Sequence, residues 1–199
     1  MNKNFFEVKN VDFSVSGKIK VRNASFSIKN EGDVVCLLGP SGIGKTTVLR
    51  SIAGLEKVQN GTIELNNKTL SSKNINIDPE NRNISLAFQE NSLFPHYTIE
   101  KNILLGAERK KNNKEKKISL KELVDLLDIS HILNKFPHQV SAGEAQRASL
   151  ARSLVSEPDL LLLDEPLSNI DQSFKEEIQV RLKQIIKNSK ITTIIVTHD

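Results

Sequence analysis

Residues Gly39 to Thr46 read GPSGIGKT, a set of glycines with a lysine and a hydroxyl at a spacing that suits a phosphate group. Gly39, Gly42 and Gly44 free the backbone to turn successive N–H groups toward an anion, with Pro40, Ser41 and Ile43 between them. The helical run Thr47 to Ala53 follows, so a helix N-terminus adds its own partial positive charge. Lys45 is expected on the β- and γ-phosphates of a nucleotide, Thr46 on Mg2+, and Thr47 on the α-phosphate. A glycine-rich turn that only caps a helix is the bland alternative. The apolar run Asp33 to Leu38 just before the loop favours the phosphate reading.

A second cluster of chemistry stands at Asp164 and Glu165, directly after the apolar run Leu160 to Leu163. A buried parallel strand delivers such residues to its carboxyl edge, where ligands bind. Asp164 suits the Mg2+ shell, and Glu165 suits a general base or orienting group for an attacking water. Standing alone, the pair would serve equally well as an acidic helix cap.

Short apolar runs alternate with longer stretches of helical period, which predicts an α/β domain with a largely parallel sheet. Asp33 to Leu38, Leu160 to Leu163 and Ile191 to Val196 are expected as strands buried on both faces. Phe5 to Ser14 and Ile19 to Ile28 alternate about Gly17 and predict an antiparallel hairpin, joined by a strand at Thr62 to Leu65. From about 91 to 158 the period is helical, with Leu120, Leu123, Val124, Leu126 and Leu127 on one stripe, so a helical lobe is expected inside a single domain over 1–199.

The chain carries 38% hydrophobic and 26% charged residues, within the range of an ordinary soluble protein, which argues against a disordered polymer. No apolar run approaches the roughly 20 residues of a spanning helix, and Met1 to Asn10 is too polar for a signal peptide, so a cytoplasmic location is expected. Cys36 is the single cysteine and is expected as a buried small hydrophobe. A net charge of +4 fits a nucleotide, a nucleic acid or an anionic membrane surface alike, and part of it lies in Arg109 to Lys117, read as a solvated loop.

VSAGEAQR at Val140 to Arg147, followed by LLLDEPLSNID at Leu161 to Asp171, resembles the ABC ATPase family. Ser141, Gly143, Gln146 and Arg147 match that family's signature, while Ala142 replaces a glycine and Glu144 a glutamine. Ser141 and Glu144 also spell a capping box. The resemblance implies a P-loop NTPase core with an N-terminal antiparallel β subdomain and an inserted helical lobe. It implies that Ser141, Gly143, Glu144 and Asp171 contact nucleotide, that Gln89 joins the metal shell and the catalytic machinery, and that His198 contacts the γ-phosphate. Phe13, 39 − 13 = 26 residues before the loop, takes the place of an aromatic residue that stacks on adenine. ATP and Mg2+ are the implied cofactors, held in a head-to-tail dimer of two copies. The family's domain continues beyond the position matched by Asp199.

Within the family, the stretch Ser71 to Ile103 is similar to importer subunits that sit on the cytoplasmic face of the membrane, most of all iron(III) importers. Permease subunits are the implied partners, with a solute-binding protein acting indirectly and no nucleic acid. A soluble ABC ATPase working on nucleic acid or ribosomes is the main alternative. Only 141 − 89 = 52 residues separate Gln89 from Ser141, too few for the long coiled-coil insertions of DNA-repair members. An exporter would carry fused membrane helices, and a nucleotide-binding module without turnover would not need both Glu165 and His198.

Overall fold

A computed structural model describes residues 4–88, 92–108, 118–170 and 172–197. In chain order its strands are β1 (Phe6–Val15), β2 (Lys18–Ile28), β3 (Val34–Leu37), β4 (Thr62–Leu65), β5 (Lys68–Ser71), β6 (Ile84–Ala87), β7 (Leu160–Asp164) and β8 (Thr192–Val196). Its helices are α1 (Lys45–Ala53), α2 (Ile99–Glu108), α3 (Leu120–Leu126), α4 (Ala142–Val155) and α5 (Gln172–Ser189). One sheet is antiparallel, in the order β2-β1-β4-β5, and the other is parallel, in the order β3-β8-β7-β6. The expected hairpin is β1 and β2, and the added strand is β4. Among the described residues of 91–158 there are helices and turns but no strand.

All five residues of β7 are buried, and their alternation divides the interior. Leu160 and Leu162 face one core with α1 and the antiparallel sheet, through Leu49, Ile52, Phe6 and Ile63. Leu161 and Leu163 face the other core, formed by the helical lobe and α5, through Ile103, Leu154 and Leu182. α1 is therefore pinned between two sheets. Its buried residues Val48, Leu49 and Ile52 recur at helical spacing, which fixes where its N-terminus points.

Three expectations are corrected here. β3 is not buried on both faces, because it lies at one edge of the parallel sheet: Val35 and Leu37 pack inward while Val34 is 46% exposed. Cys36 shares that outer face and is exposed rather than buried, bordering a groove of about 640 Å³ beside α5. Phe13 is 0% exposed and offers no ring face to an adenine. The cause is a β-bulge between Val8 and Val11, where Asn10 adopts φ 51. The extra residue shifts the alternation, so Phe6 and Val8 before it share an inward face with Val11 and Phe13 after it.

Arg82 is 2% exposed and joins the two sheets through α1. Its guanidinium donates to the carbonyls of Ser51 and Ile52 at the end of α1, to those of Leu70 and Ile77, and to Ser71 Oγ and Asn76 Oδ1. Burial pushes its pKa down to about 10 against the opposing charge of Asp78, so the group stays charged at neutral pH beside the negative end of the helix dipole. Arg82→Met should cost on the order of 3 kcal/mol or more, since several buried carbonyls lose their donor at about 1–3 kcal/mol each. Thermal unfolding should show a midpoint lowered by roughly 6–12 °C. An unchanged midpoint would show that the two sheets do not depend on this residue.

Candidate nucleotide site

The phosphate loop starts where β3 ends. Gly44 closes it as the N-cap of α1, with φ 107, a left-handed conformation suited to glycine. A Cβ there would also come within 2.9 Å of Val21 Cγ2, so the loop lies against β2. Lys45 Nζ donates to the carbonyls of Gly39 at 2.6 Å and Pro40 at 3.0 Å, which lays its ammonium across the loop. α1 has no side-chain cap and no acidic residue in its first turn, so nothing on the helix competes with an incoming anion. Pro40, Ser41, Gly42, Ile43 and Thr46 are exposed along this surface, Gly39 partly so, while Thr47 is buried.

Parallel pairing brings the second cluster to the same edge. Leu37 of β3 and Asp164 of β7 both pair with Val196 of β8, one from each side. The phosphate loop and Asp164 thus leave the sheet at one level, about 10 Å apart across a single intervening strand. Asp164 is 3% exposed and still in the ladder. Glu165 is half-buried and has left it: its backbone is left-handed at φ 48, which costs about 1–3 kcal/mol in a residue with a side chain. Glu165 N donates to the Val196 carbonyl at 3.0 Å, and its own carbonyl accepts from Ser168 N at 3.2 Å. One carboxylate is therefore held within the sheet and the next lies half-buried at its rim. β6 and β8 also end at this edge, at Ala87 and Val196, shortly before Gln89 and His198. Gln89, Asp171 and His198 lie outside the described residues.

The signature residues gather separately at the N-terminus of α4. Ser141 is the N-cap, and its hydroxyl accepts from Glu144 N while Glu144 Oε2 accepts from Ser141 N at 2.8 Å, so the capping box read in the sequence is present. Ser141 Oγ also lies 2.8 Å from Glu144 Oε2. His131 Nε2 meets Glu144 Oε1 at 2.8 Å. These contacts hold the Glu144 pKa down to about 2, chiefly through the Ser141 backbone and side chain and then through His131. Ala142 is exposed, so its extra methyl is accommodated without distorting the helix. Gly143 has an internal reason to be glycine, since a Cβ there would stand 2.8 Å from the Asn169 carbonyl oxygen.

Two polar residues escaped the sequence reading. Gln146 was matched to the signature with no contact assigned, and it is 2% exposed with its amide bonded to the loop after β7. His131 lies in the turn Ser130–Ile132, and nothing in the spacing of the chain connects it to Glu144.

Residues 21–168 match the family described as ABC transporter. The chain is 40% identical over 194 residues to the Fe(3+) ions import ATP-binding protein FbpC of Fusobacterium nucleatum, covering 97% of this chain and 51% of that protein. It is also 40% identical over 182 residues to the trehalose/maltose import ATP-binding protein MalK of Thermococcus litoralis, covering 90% and 49%. The chain thus spans about half the length of these curated relatives. A solved dimer of the ATP-binding cassette MJ0796 in a post-hydrolysis state with ADP and Pi superposes with a TM-score of 0.79 at 27% identity, over 98% of this chain and 88% of that one. The matched segment runs from β2 through the phosphate loop and α4 to the acidic end of β7, and the chain belongs to the ABC transporter family.

Proposed function

We propose that the chain is the ATP-hydrolysing motor subunit of an ABC importer, working as a head-to-tail pair whose sites each join the phosphate loop of one copy to the signature of the other. The observation that carries this reading is the shared pairing at Val196, which sets the phosphate loop beside Asp164 and Glu165. The dimeric cassette with ADP and Pi supports the paired arrangement. Gly39, Ser41, Gly42, Ile43 and Gly44 would surround the phosphates with backbone N–H groups, Pro40 would shape the turn without a donor of its own, and Lys45 would swing from its two carbonyl partners to phosphate oxygens. Thr46 and Asp164 form an all-oxygen donor set, which suits Mg2+ together with water and phosphate, and they would hold it. The ion would neutralise charge on the β- and γ-phosphates.

Glu165 would take a proton from the water that attacks the γ-phosphate, with its backbone already turned out of the ladder. Gln89 and His198 are proposed beside it, from the family pattern and from the strands that lead to them. Ser141, Gly143, Glu144 and Asp171 would face the second copy's nucleotide. Adenine stacking has no candidate in Phe13.

No helix among the described residues is long and apolar enough to cross a membrane. The proposed setting is the cytoplasmic face of the membrane, against permease subunits, which the import ATP-binding proteins among the relatives support. Ferric iron is the proposed cargo, supported by the FbpC match, while MalK at the same 40% identity carries a different solute name. Cells lacking the gene should lose ferric iron uptake while keeping maltose uptake, and the reverse result would reassign the cargo.

Glu165→Gln should keep ATP affinity but lower turnover by about 100-fold or more, as the attacking water loses its base. Normal turnover in this variant would remove Glu165 from the role. Lys45→Ala should instead weaken ATP binding about 10–100-fold in a titration, because a charge-assisted contact is deleted. In the Glu165→Gln background, light scattering should show ATP converting monomers to dimers and ADP leaving them monomeric, since only the γ-phosphate is shared by both copies. A chain that stays monomeric with ATP would contradict the paired site.

A further inference from the structure

Gln146 lies on α4, 2% exposed, and both ends of its side-chain amide are engaged. Nε2 donates to the Glu165 carbonyl and to Ser168 Oγ, each at 3.2 Å, and Oε1 accepts from Asn169 N at 3.0 Å. The amide thus clamps the loop after β7 at its two ends. One end is the peptide of the left-handed Glu165. The other is Asn169, whose carbonyl lies so close to Gly143 that a Cβ there would clash. At neutral pH a carboxamide offers a donor and an acceptor side by side on an uncharged group, which this geometry needs. A left-handed residue persists only where its surroundings over-determine it, and here the determining contacts come from α4 and β8.

We propose that Gln146 is a positioning residue for ATP hydrolysis, holding the Glu165 backbone at its own chain's phosphate site and tying it to the α4 N-terminus that completes the second copy's site. This deepens the ATPase reading and rests on it. In a head-to-tail pair, Glu165 and Ser141 of one chain serve different nucleotides. Closure of α4 on the partner's nucleotide fixes Gln146, and Gln146 fixes the peptide that carries the base. The two sites are then coupled by contacts inside each chain, and the coupling is reciprocal.

Gln146→Glu in the complete protein tests this, because it keeps the shape of the side chain and exchanges the donor for an acceptor. Burial raises the pKa of the new carboxyl, so acid returns a proton and with it a donor. ATP affinity should stay within about twofold, and turnover per bound nucleotide at pH 8 should fall by about tenfold or more, as the donor to the Glu165 carbonyl is replaced by an opposing acceptor. Cooperativity in ATP concentration should vanish, and part of the lost turnover should return toward pH 6 relative to the unsubstituted protein. Gln146→Met, which keeps volume but neither hydrogen-bonding end, should be slow at every pH. On the unsubstituted protein, a non-hydrolysable ATP analogue should slow hydrogen exchange at Asn169 N, a measurement that needs no variant to fold. Unchanged turnover and cooperativity in Gln146→Glu, or exchange at Asn169 that ignores nucleotide, would overturn the proposal. An unsubstituted protein that neither binds nor hydrolyses ATP would sink the ATPase reading itself.

Discussion

The backbone ladder of β8 is the constraint on which the site depends. Val196 pairs with Leu37 on one side and Asp164 on the other, so the level at which the phosphate loop leaves the sheet is tied to the level at which the carboxylates leave it. In a parallel sheet a slip of one residue would turn every side chain of the strand to the opposite face. Leu160 and Leu162 serve one core and Leu161 and Leu163 another, and both cores are apolar. A slip would still leave leucines on each face of β7, but it would carry Asp164 away from its partner at the rim. The register is therefore held by what surrounds β7 on both sides, namely α1 pinned beneath it and the helical lobe above.

The two helix N-termini of the proposed site are prepared in opposite ways. α1 begins at a left-handed glycine with no side-chain cap and no acid in its first turn, so its dipole is free for an external anion. α4 begins with Ser141 and Glu144 closing on each other, the Glu144 carboxylate accepting from Ser141 N and Ser141 Oγ from Glu144 N, so these two N–H groups are already satisfied before a phosphate arrives. In the proposed pair, phosphate would thus bind most strongly on the copy that holds the nucleotide in its loop. The α4 end offers a rigid, locally neutralised surface to it. That asymmetry suits a contact that must form and break in each cycle, because a partner surface binding phosphate as tightly as the loop would resist opening.

What could be read from the chain was whatever depended on local pattern. The loop at Gly39 to Thr46, the strand ending in Asp164 and Glu165, the hairpin and the capping box at Ser141 each follow from residue type and short spacing, and the structure contains all of them. The failures share another cause. Phe13 was placed on adenine by the resemblance alone, and a bulge at Asn10, which leaves no mark in composition, puts it in the core instead. β3 was misread because an edge strand packed on one face can have the same apolar sequence as a central one. The burial of Gln146 and Arg82 is not legible in the sequence, because polar side chains on helices and loops are usually exposed and the backbone groups these two meet come near only after folding.

Those two buried polar residues occupy equivalent places in the logic of the fold. Apolar packing can hold regular elements together, since helices and strands satisfy their own backbone, but it cannot hold irregular segments whose carbonyls and N–H groups lack partners. Arg82 meets that need at the end of α1, where helix carbonyls, β5 and the segment at Ile77 converge. Gln146 meets it after β7, where the backbone of Glu165 and Asn169 has left the ladder. One fixes the far end of the phosphate-loop helix and the other the peptide of the proposed base. The positions of both reactive segments are thereby set by directional bonds as well as by apolar packing. Such bonds have defined alternatives, so they are the points at which a nucleotide-dependent machine can change state without unpacking its cores.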